Sequence, residues 1–246
     1  MDPTAYSRHY ELDRTHFWRV AKRRLVLEWL DRYAPRRESR DLLDIGGACS
    51  VVSAEMSRFG RVTVVEPDAG MVQAARERLG VEVLQGSLPD ALPVPGPFDA
   101  ITLLDVLEHV HEDAESLKTV RRLLRPGGAL ICTVPAFQWL WSDHDVVLHH
   151  LRRYTRPQLR ALLESAGLRV RRISYYTTFL LPVLAMQRAI GRLKPHRKAP
   201  TYDVTVPHPA LNGLLGMAMS VERSLLRYAD LPLGSSLIAV ATRPDA

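Results

Sequence analysis

The feature that most limits this chain is a series of apolar, strand-like segments that alternate with helical ones between residues 41 and 135. DLLDIG, RVTVVE, VEVLQG, FDAITLLD and ALICTVP read as strands. SVVSAEMSRFG, DAGMVQAARERLG and EDAESLKTVRRLLRPGG read as helices, the last closing in a turn. Most of the strands are continuous apolar runs, as expected when helices cover both faces of a parallel sheet. The pattern predicts an α/β fold whose ligand sits beyond the carboxyl ends of the strands, where strand order reverses.

The flanks follow other rules. HFWRVAKRRLVLEWLDRYAP has helical spacing with a basic face, stops at Pro35 and leads into the polar linker RRESR. After Pro135, AFQWLWSDHDVVLHHLRRY is rich in aromatics and histidine. TRPQLRALLESAG then resumes a helix, with Thr155 as N-cap, Pro157 in the first turn and Gly167 as the stop. LRVRRISYYT reads as a strand leading into FLLPVLAMQRAIGRL. A polar stretch, KPHRKAPTYD, precedes a helix from Pro209 to about Ala229 and a last strand, SSLIAVATR.

With 46% hydrophobic and 24% charged residues, the composition excludes a disordered chain. Cys49 and Cys132 form neither a disulfide framework nor a metal knuckle, which points to a reducing cytoplasm. No signal peptide is evident, and no apolar run approaches the ~20 residues a bilayer span needs. A formal charge of +6 favours anionic partners, among them phosphates, nucleic acid and an acidic membrane face.

The first strand ends in DIGGACS, where glycine lets the backbone approach a ligand. Glu66 closes the second strand 20 positions after Gly46, a separation that fits one strand, helix and strand. There an acid can accept hydrogen bonds from both ribose hydroxyls. On these two features alone, a nucleotide site and an ordinary strand end stand about even.

GGACS, VVEPDAGMVQAAR, LQGSLPDALPVPGPFDAITLLDVLEHV and LLRPGGALICTVP decide between them. Together they resemble the class I S-adenosylmethionine-dependent methyltransferases, in order and in spacing, over residues 40–135. The resemblance implies a Rossmann-like sheet of seven strands, with one antiparallel strand from a last hairpin of LRVRRISYYT and SSLIAVATR. It implies S-adenosylmethionine as cofactor and S-adenosylhomocysteine as product. Asp44, Gly46, Gly47 and Ala48 would hold the amino-acid end, Glu66 the ribose, and Pro67, Asp68, Met71, Ser87 and Leu88 the adenine. Ala48 and Ser50 stand where that family usually has glycine, and Ser87 where it often has Asp. The dinucleotide fingerprint G-x-G-x-x-G is absent. A narrower similarity, in HFWRVAKRR, SDHDVVLHHLRRYTRPQL and LPLGSSLIAVATR, is to a bacterial and archaeal group often linked to polysaccharide or glycolipid pathways.

The expected organisation is a single domain over 1–246, with a helical lid (1–38), a cofactor-binding core (39–136) and an acceptor-side lid with C-terminal elements (137–246). The expected reaction is O-methylation of a sugar, glycolipid or other small acceptor, anionic or glycosylated. Leu104 and Asp105 are expected to touch the cofactor, with Trp18, Lys22 and Arg23 closing over its carboxylate end. A core tryptophan beside a solvated basic face is the alternative for that last group.

Asp105, Glu108 and His109 are spaced i, i+3, i+4 and share one face of a helical turn. The favoured reading is pocket shaping. The other is a Mg or Mn site completed by His150 or His149, as in small-RNA 2′-O-methyltransferases and some quinone O-methyltransferases. An unperturbed imidazole suits proton abstraction from a hydroxyl, and the order for the general base is His150, which begins the HLRRY signature, then His144. Tying the lid to the core is the competing role for both. Tyr154 joins them as a catalytic candidate, and His109, His149, Arg152, Arg153 and Arg156 as acceptor contacts, the arginines because their forks suit anions. A solvated basic face competes for each arginine.

YYTTFLLPVLAM, with basic segments on both sides, suits a helix lying in a membrane interface, a buried helix or a dimer seam. A metal-assisted RNA methyltransferase and a non-catalytic cofactor-binding module are the competing functions. No RNA-binding module is recognisable, so nucleic acid is not the expected partner.

Overall fold

The structure is a computed structural model that describes residues 10–47, 50–90, 92–193 and 205–245. The expected contact of Ala48 and the stretch KPHRKAPTYD lie, wholly or largely, outside the described residues. The strands are β1 (Asp41–Ile45), β2 (Arg61–Glu66), β3 (Glu82–Gln85), β4 (Phe98–Leu104), β5 (Leu124–Pro135), β6 (Arg169–Tyr176) and β7 (Ser236–Thr242). They form one sheet in the order β3-β2-β1-β4-β5-β7-β6. β1 pairs in parallel with β2 and β4, and β4 with β5. β7 runs antiparallel to both β5 and β6, as expected of the last hairpin.

Period-two alternation divides the sheet's side chains between two apolar layers. Leu42, Ala100, Ile131, Ile238 and Val240 face one layer, and Leu43, Ile101, Leu130, Cys132 and Ala239 the other. The helices are α1 (Phe17–Tyr33), α2 (Val51–Met56), α3 (Ala69–Arg78), α4 (Asp113–Leu123), α5 (Asp143–Val147), α6 (Arg156–Ser165), α7 (Leu181–Leu193) and α8 (Pro209–Leu225). Thr155 and Gln158 form a capping box on α6, with Pro157 in its first turn.

The start of β5 differs from the sequence reading. β5 starts at Leu124, not Ala129: Leu124 pairs with Phe98, and a register shift between Phe98 and Ala100 takes up the Arg-Pro-Gly-Gly segment. In α1, Leu25, Val26, Leu27, Trp29 and Leu30 are buried in the first layer, while the preceding turns border the ligand cavity. α8 packs beside α1 through Glu28, which pairs with Arg223 (3.0 Å) and Arg227 (2.7 Å). Glu222 of α8 is buried and accepts from the backbone N–H groups of Thr177, Thr178 and Phe179, fixing the turn from β6 into α7.

Candidate active site

Strand order reverses between β1 and β4, and beyond those carboxyl ends lies a cavity of about 800 Å3. Its floor is made by Asp44, Gly46, Gly47, Leu104 and Asp105. Trp18, Lys22 and Arg23 of α1 close one side, and Leu180, Leu184 and Arg188 another.

The bend after β1 depends on two glycines. Gly46 has φ +79°, and a Cβ on Gly47 would stand 2.1 Å from Asp44 Oδ2 and 2.7 Å from Ser53 Oγ. Asp44 is fully buried and accepts from Ser53 Oγ and Thr102 Oγ1, each at 2.6 Å. Burial pushes its carboxyl above the ordinary range, against those two bonds. Ser50, one of the two loop positions where the family usually has glycine, is the N-cap of α2 and accepts from Val52 N at 3.1 Å. Asp13, which nothing in the local pattern singled out, accepts from Val51 N (2.6 Å) and Ser50 Oγ (3.1 Å). Arg23 donates to Asp13 O and pairs with Glu55 at 3.0 Å, so its guanidinium fastens the loop to α1.

At the β4 end, Asp105 has φ +56° and its N–H donates to Thr133 O (2.9 Å). Lys22 Nζ lies 2.5 Å from its carboxylate, and Thr133 Oγ1 donates at 2.8 Å. Burial would raise this carboxyl, but Lys22 outweighs it and holds it below the ordinary value. Trp18 Nε1 donates to Thr177 Oγ1 at 3.1 Å, which joins α1 to the end of β6.

The acceptor side carries a histidine–aspartate pair. Asp145, fully buried in α5, lies 2.9 Å from His150 Nδ1 and accepts from Arg153 Nε (2.8 Å) and Ser142 N (2.9 Å). Burial would raise the Asp145 carboxyl, yet the bonds from His150 and Arg153 prevail and drive it well below the carboxylate range. With Nδ1 held, the other ring nitrogen of His150 is left to work. His144 also lines the cavity, but burial lowers its pKa to about 4, so it is a weak base.

Glu108 is fully buried beside them, and among the described residues neither carboxylate oxygen has a hydrogen-bond partner. Burial, then the charge of Asp105, pushes its carboxyl well above the ordinary range. Glu108, His109 and His150 each offer a ligand atom within 4.8 Å of the others. Asp105 does not belong to that group, because Lys22 and Thr133 occupy its carboxylate.

Several expected site residues fall elsewhere. Tyr154 is buried with its hydroxyl donating to Leu107 O (3.2 Å) and Asp113 (3.0 Å), away from the cavity lining. It is a strut, and burial drives its phenol further from ionisation. Tyr154→Phe should cost about 1–2 kcal/mol of stability in a denaturant titration and leave turnover per folded molecule unchanged. His149 (φ +56°) is exposed outside the cavity. Arg152 pairs with Asp113 (2.8 Å) and Arg156 with Asp230 (3.0 Å), so neither is an acceptor anchor. Arg153 lines the cavity, but its guanidinium is bound by Asp145 and Ala136 O. Arg188, read in the sequence only as part of the basic flank RAIGRLKPHRK, reaches the cavity with no hydrogen bond or ion pair among the described residues. Glu66 is buried at the end of β2, with Pro67, Met71, Ser87 and Leu88 after β2 and β3; none of these five lines the cavity. The expected cofactor residues therefore divide into a β1–β4 group within the cavity and a β2–β3 group further along the same sheet edge.

Residues 17–173 match a family model described as a methyltransferase domain. The ubiquinone biosynthesis O-methyltransferase of Xanthomonas euvesicatoria pv. vesicatoria is 29% identical over 153 residues, covering 54% of this chain and 64% of that protein. The enzyme of the same name from Pseudomonas aeruginosa is 29% identical over 170 residues, covering 61% and 72%. This chain thus spans between three-fifths and three-quarters of these two relatives. Among solved structures, phosphoethanolamine N-methyltransferase 2 of Haemonchus contortus, in complex with S-adenosyl-L-methionine, superposes with a TM-score of 0.58 at 17% identity, covering 89% of this chain and 52% of that one. The [4+2]-cyclase SpnF superposes with a TM-score of 0.58 at 22% identity, covering 93% and 83%. Those two likenesses concern the fold alone, since one architecture here serves two chemistries. The family match covers most of the chain, and it coincides with the strand order and the Gly46–Gly47 bend; the chain belongs to the class I S-adenosylmethionine-dependent methyltransferases.

Proposed function

We propose that this protein methylates a hydroxyl oxygen on a small acceptor with an apolar body, using His150 as the general base. The observation that carries the reading is His150, held at Nδ1 by the buried Asp145 and lining the same cavity as Asp44, Gly46 and Gly47. When bound, S-adenosylmethionine supplies an electrophilic methyl group on a sulfonium. The β1 end fits the cofactor's amino-acid moiety: Gly46 and Gly47 leave the backbone bare, and Asp44 stands beside them. Asp105 and Lys22 border the same end.

What remains for the chain is to align an acceptor oxygen and take its proton. Asp145 fixes the His150 ring through Nδ1 and stabilises the imidazolium that proton uptake creates, acting as a positioning residue. Leu140, Leu148, Leu180, Leu184 and Phe17 give the cavity apolar walls, and Arg188 adds a cation that has no ion pair within bonding distance among the described residues. Those walls suit a glycolipid or an aromatic small molecule better than a free sugar, and Arg188 suits an acidic group on it. The O-methyltransferase names of the curated relatives support oxygen as the target atom.

A second reading is supported by the Glu108 carboxylate, buried beside His109 and His150 without a donor among the described residues. These three would hold a divalent cation, with Asp145 orienting His150 from behind. The proposal is tested by incubating the protein with methyl-labelled S-adenosylmethionine and a bacterial lipid extract or an aqueous metabolite extract. Label should enter the lipid extract, before and after exhaustive chelation. Label only in the aqueous extract would overturn the apolar acceptor, and loss on chelation would install the metal. Without a metal, Glu108→Gln should keep activity. It should also remove a pH dependence of stability: a buried acid with a raised pKa contributes stability below its unfolded value of 4.5, and loses it as pH rises through the folded value.

A further inference from the structure

We propose that a second, basic cavity binds a phosphate ester through Arg169 and Arg171, at the end of the sheet opposite the methyl-transfer cavity. Two strands connect the sites. Pro135 of β5 and Ser236 of β7 border the large cavity, whereas Gly127 and Thr242, toward the other ends of the same strands, border one of about 350 Å3. The inference does not depend on the role given to His150.

An irregularity in β6 builds the site. Leu168, Val170, Ile173 and Tyr175 pack in the apolar layer opposite α1, so strict alternation fails between Val170 and Ile173. The register shifts there: Val170 pairs with Ala241 and Arg172 with Val240, which leaves Arg171 as an extra residue. A bulge of this kind re-aims a side chain. Arg169, Arg171 and Arg172 all turn toward α1 as a result. Arg172 lies over the Trp29 ring, 4.8 Å from its centroid, and Arg169 and Arg171 line the cavity with Arg32 and Tyr33.

Charge and shape select the ligand. Arg32, Arg169, Arg171 and Arg243 line the cavity against one acid, Asp245, an excess of three positive charges among the described residues. Arg32 and Arg243 also serve the scaffold. Arg32 donates to Arg227 O (3.1 Å), and Arg243 to the carbonyls of Arg122 (3.2 Å) and Leu124 (2.6 Å), bonds that leave both charges in place. Arg169 and Arg171 are exposed, and their side chains make no hydrogen bond or ion pair among the described residues. Guanidinium forks match phosphate oxygens two at a time. The volume falls within the span of small-ligand cavities, roughly 300–1,000 Å3. A monoester or diphosphate, carrying two or more negative charges, balances this lining better than a lone carboxylate.

The test is calorimetric titration of the full chain with inorganic pyrophosphate at constant ionic strength. One-to-one binding is expected, and the double substitution Arg169→Ala, Arg171→Ala should weaken it about tenfold or more, the scale of one lost charge-assisted hydrogen bond. Asp245→Asn should tighten it about two- to fivefold, the range for one exposed charge pair and a gain that unfolding cannot produce. S-adenosylhomocysteine should bind all these proteins equally. Absence of pyrophosphate binding, or affinity indifferent to the double substitution, overturns the inference. Aggregation of the double variant, with no pyrophosphate bound by the wild type, also overturns it and makes the arginines guards of an open strand edge. Sedimentation with vesicles containing phosphatidic acid identifies the source of the phosphate. Retention that the double substitution abolishes makes it a lipid headgroup, and no retention makes it a soluble ester; with pyrophosphate bound, either sustains the site. Pyrophosphate binding by a protein that transfers no methyl group would sustain this site and defeat the functional reading instead.

Discussion

His150→Ala is expected to lower turnover by about 10²- to 10⁴-fold, the usual contribution of a general base, with cofactor affinity intact. The side chain is held through one nitrogen by Asp145, so its loss removes the base while Arg153 and Ser142 still satisfy that buried carboxylate. The fold should therefore survive, which separates this outcome from unfolding. Asp145→Asn supplies the complementary result: the His150 ring loses its charged partner, and kcat should fall more than KM rises. A denaturation midpoint near the wild-type value for His150→Ala, together with full turnover, would remove His150 from the chemistry.

Gly47→Ala should weaken cofactor binding by about 10- to 100-fold and cost about 1–3 kcal/mol of stability, the range for overpacking a close-packed site. Its Cβ would stand 2.1 Å from Asp44 Oδ2 and 2.5 Å from Cγ. That carboxylate has nowhere to go, because Ser53 and Thr102 hold it and Ser53 also donates to Gly47 O (3.0 Å). Gly46→Ala adds a different penalty, a φ of +79° that side chains rarely adopt and a Cβ 2.8 Å from Val106. Affinity can be read by calorimetric titration with S-adenosylhomocysteine.

The strands were legible because burial on both faces writes itself as uninterrupted apolar runs, visible in FDAITLLD and RVTVVE. Glycine at the first bend follows from the need for close backbone approach, whereas Asp44 and Asp105 were singled out only through the family resemblance; the structure brings all four to the border of one cavity. Asp145 was missed although it lies within the quoted DHDVVLHH, since nothing local says which acid turns inward to receive His150 and Arg153. Tyr154, Arg152 and Arg156 were misplaced for the same cause, their partners Asp113 and Asp230 being 39 to 74 positions away. Asp13, 38 positions from the Val51 N–H it receives, shows the limit from the other side. Local pattern encodes which face of an element is buried. It does not encode which of several charged groups meet across the fold.

Calorimetric titration of the wild-type chain and of Gly47→Ala with S-adenosylhomocysteine tests the central claim most directly. The cavity at the β1–β4 end should bind the nucleoside with one-to-one stoichiometry, and Gly47→Ala should weaken that binding while the protein stays folded. Absence of binding to the wild type, or equal affinity in a folded Gly47→Ala variant, would contradict the assignment of this cavity as the cofactor site.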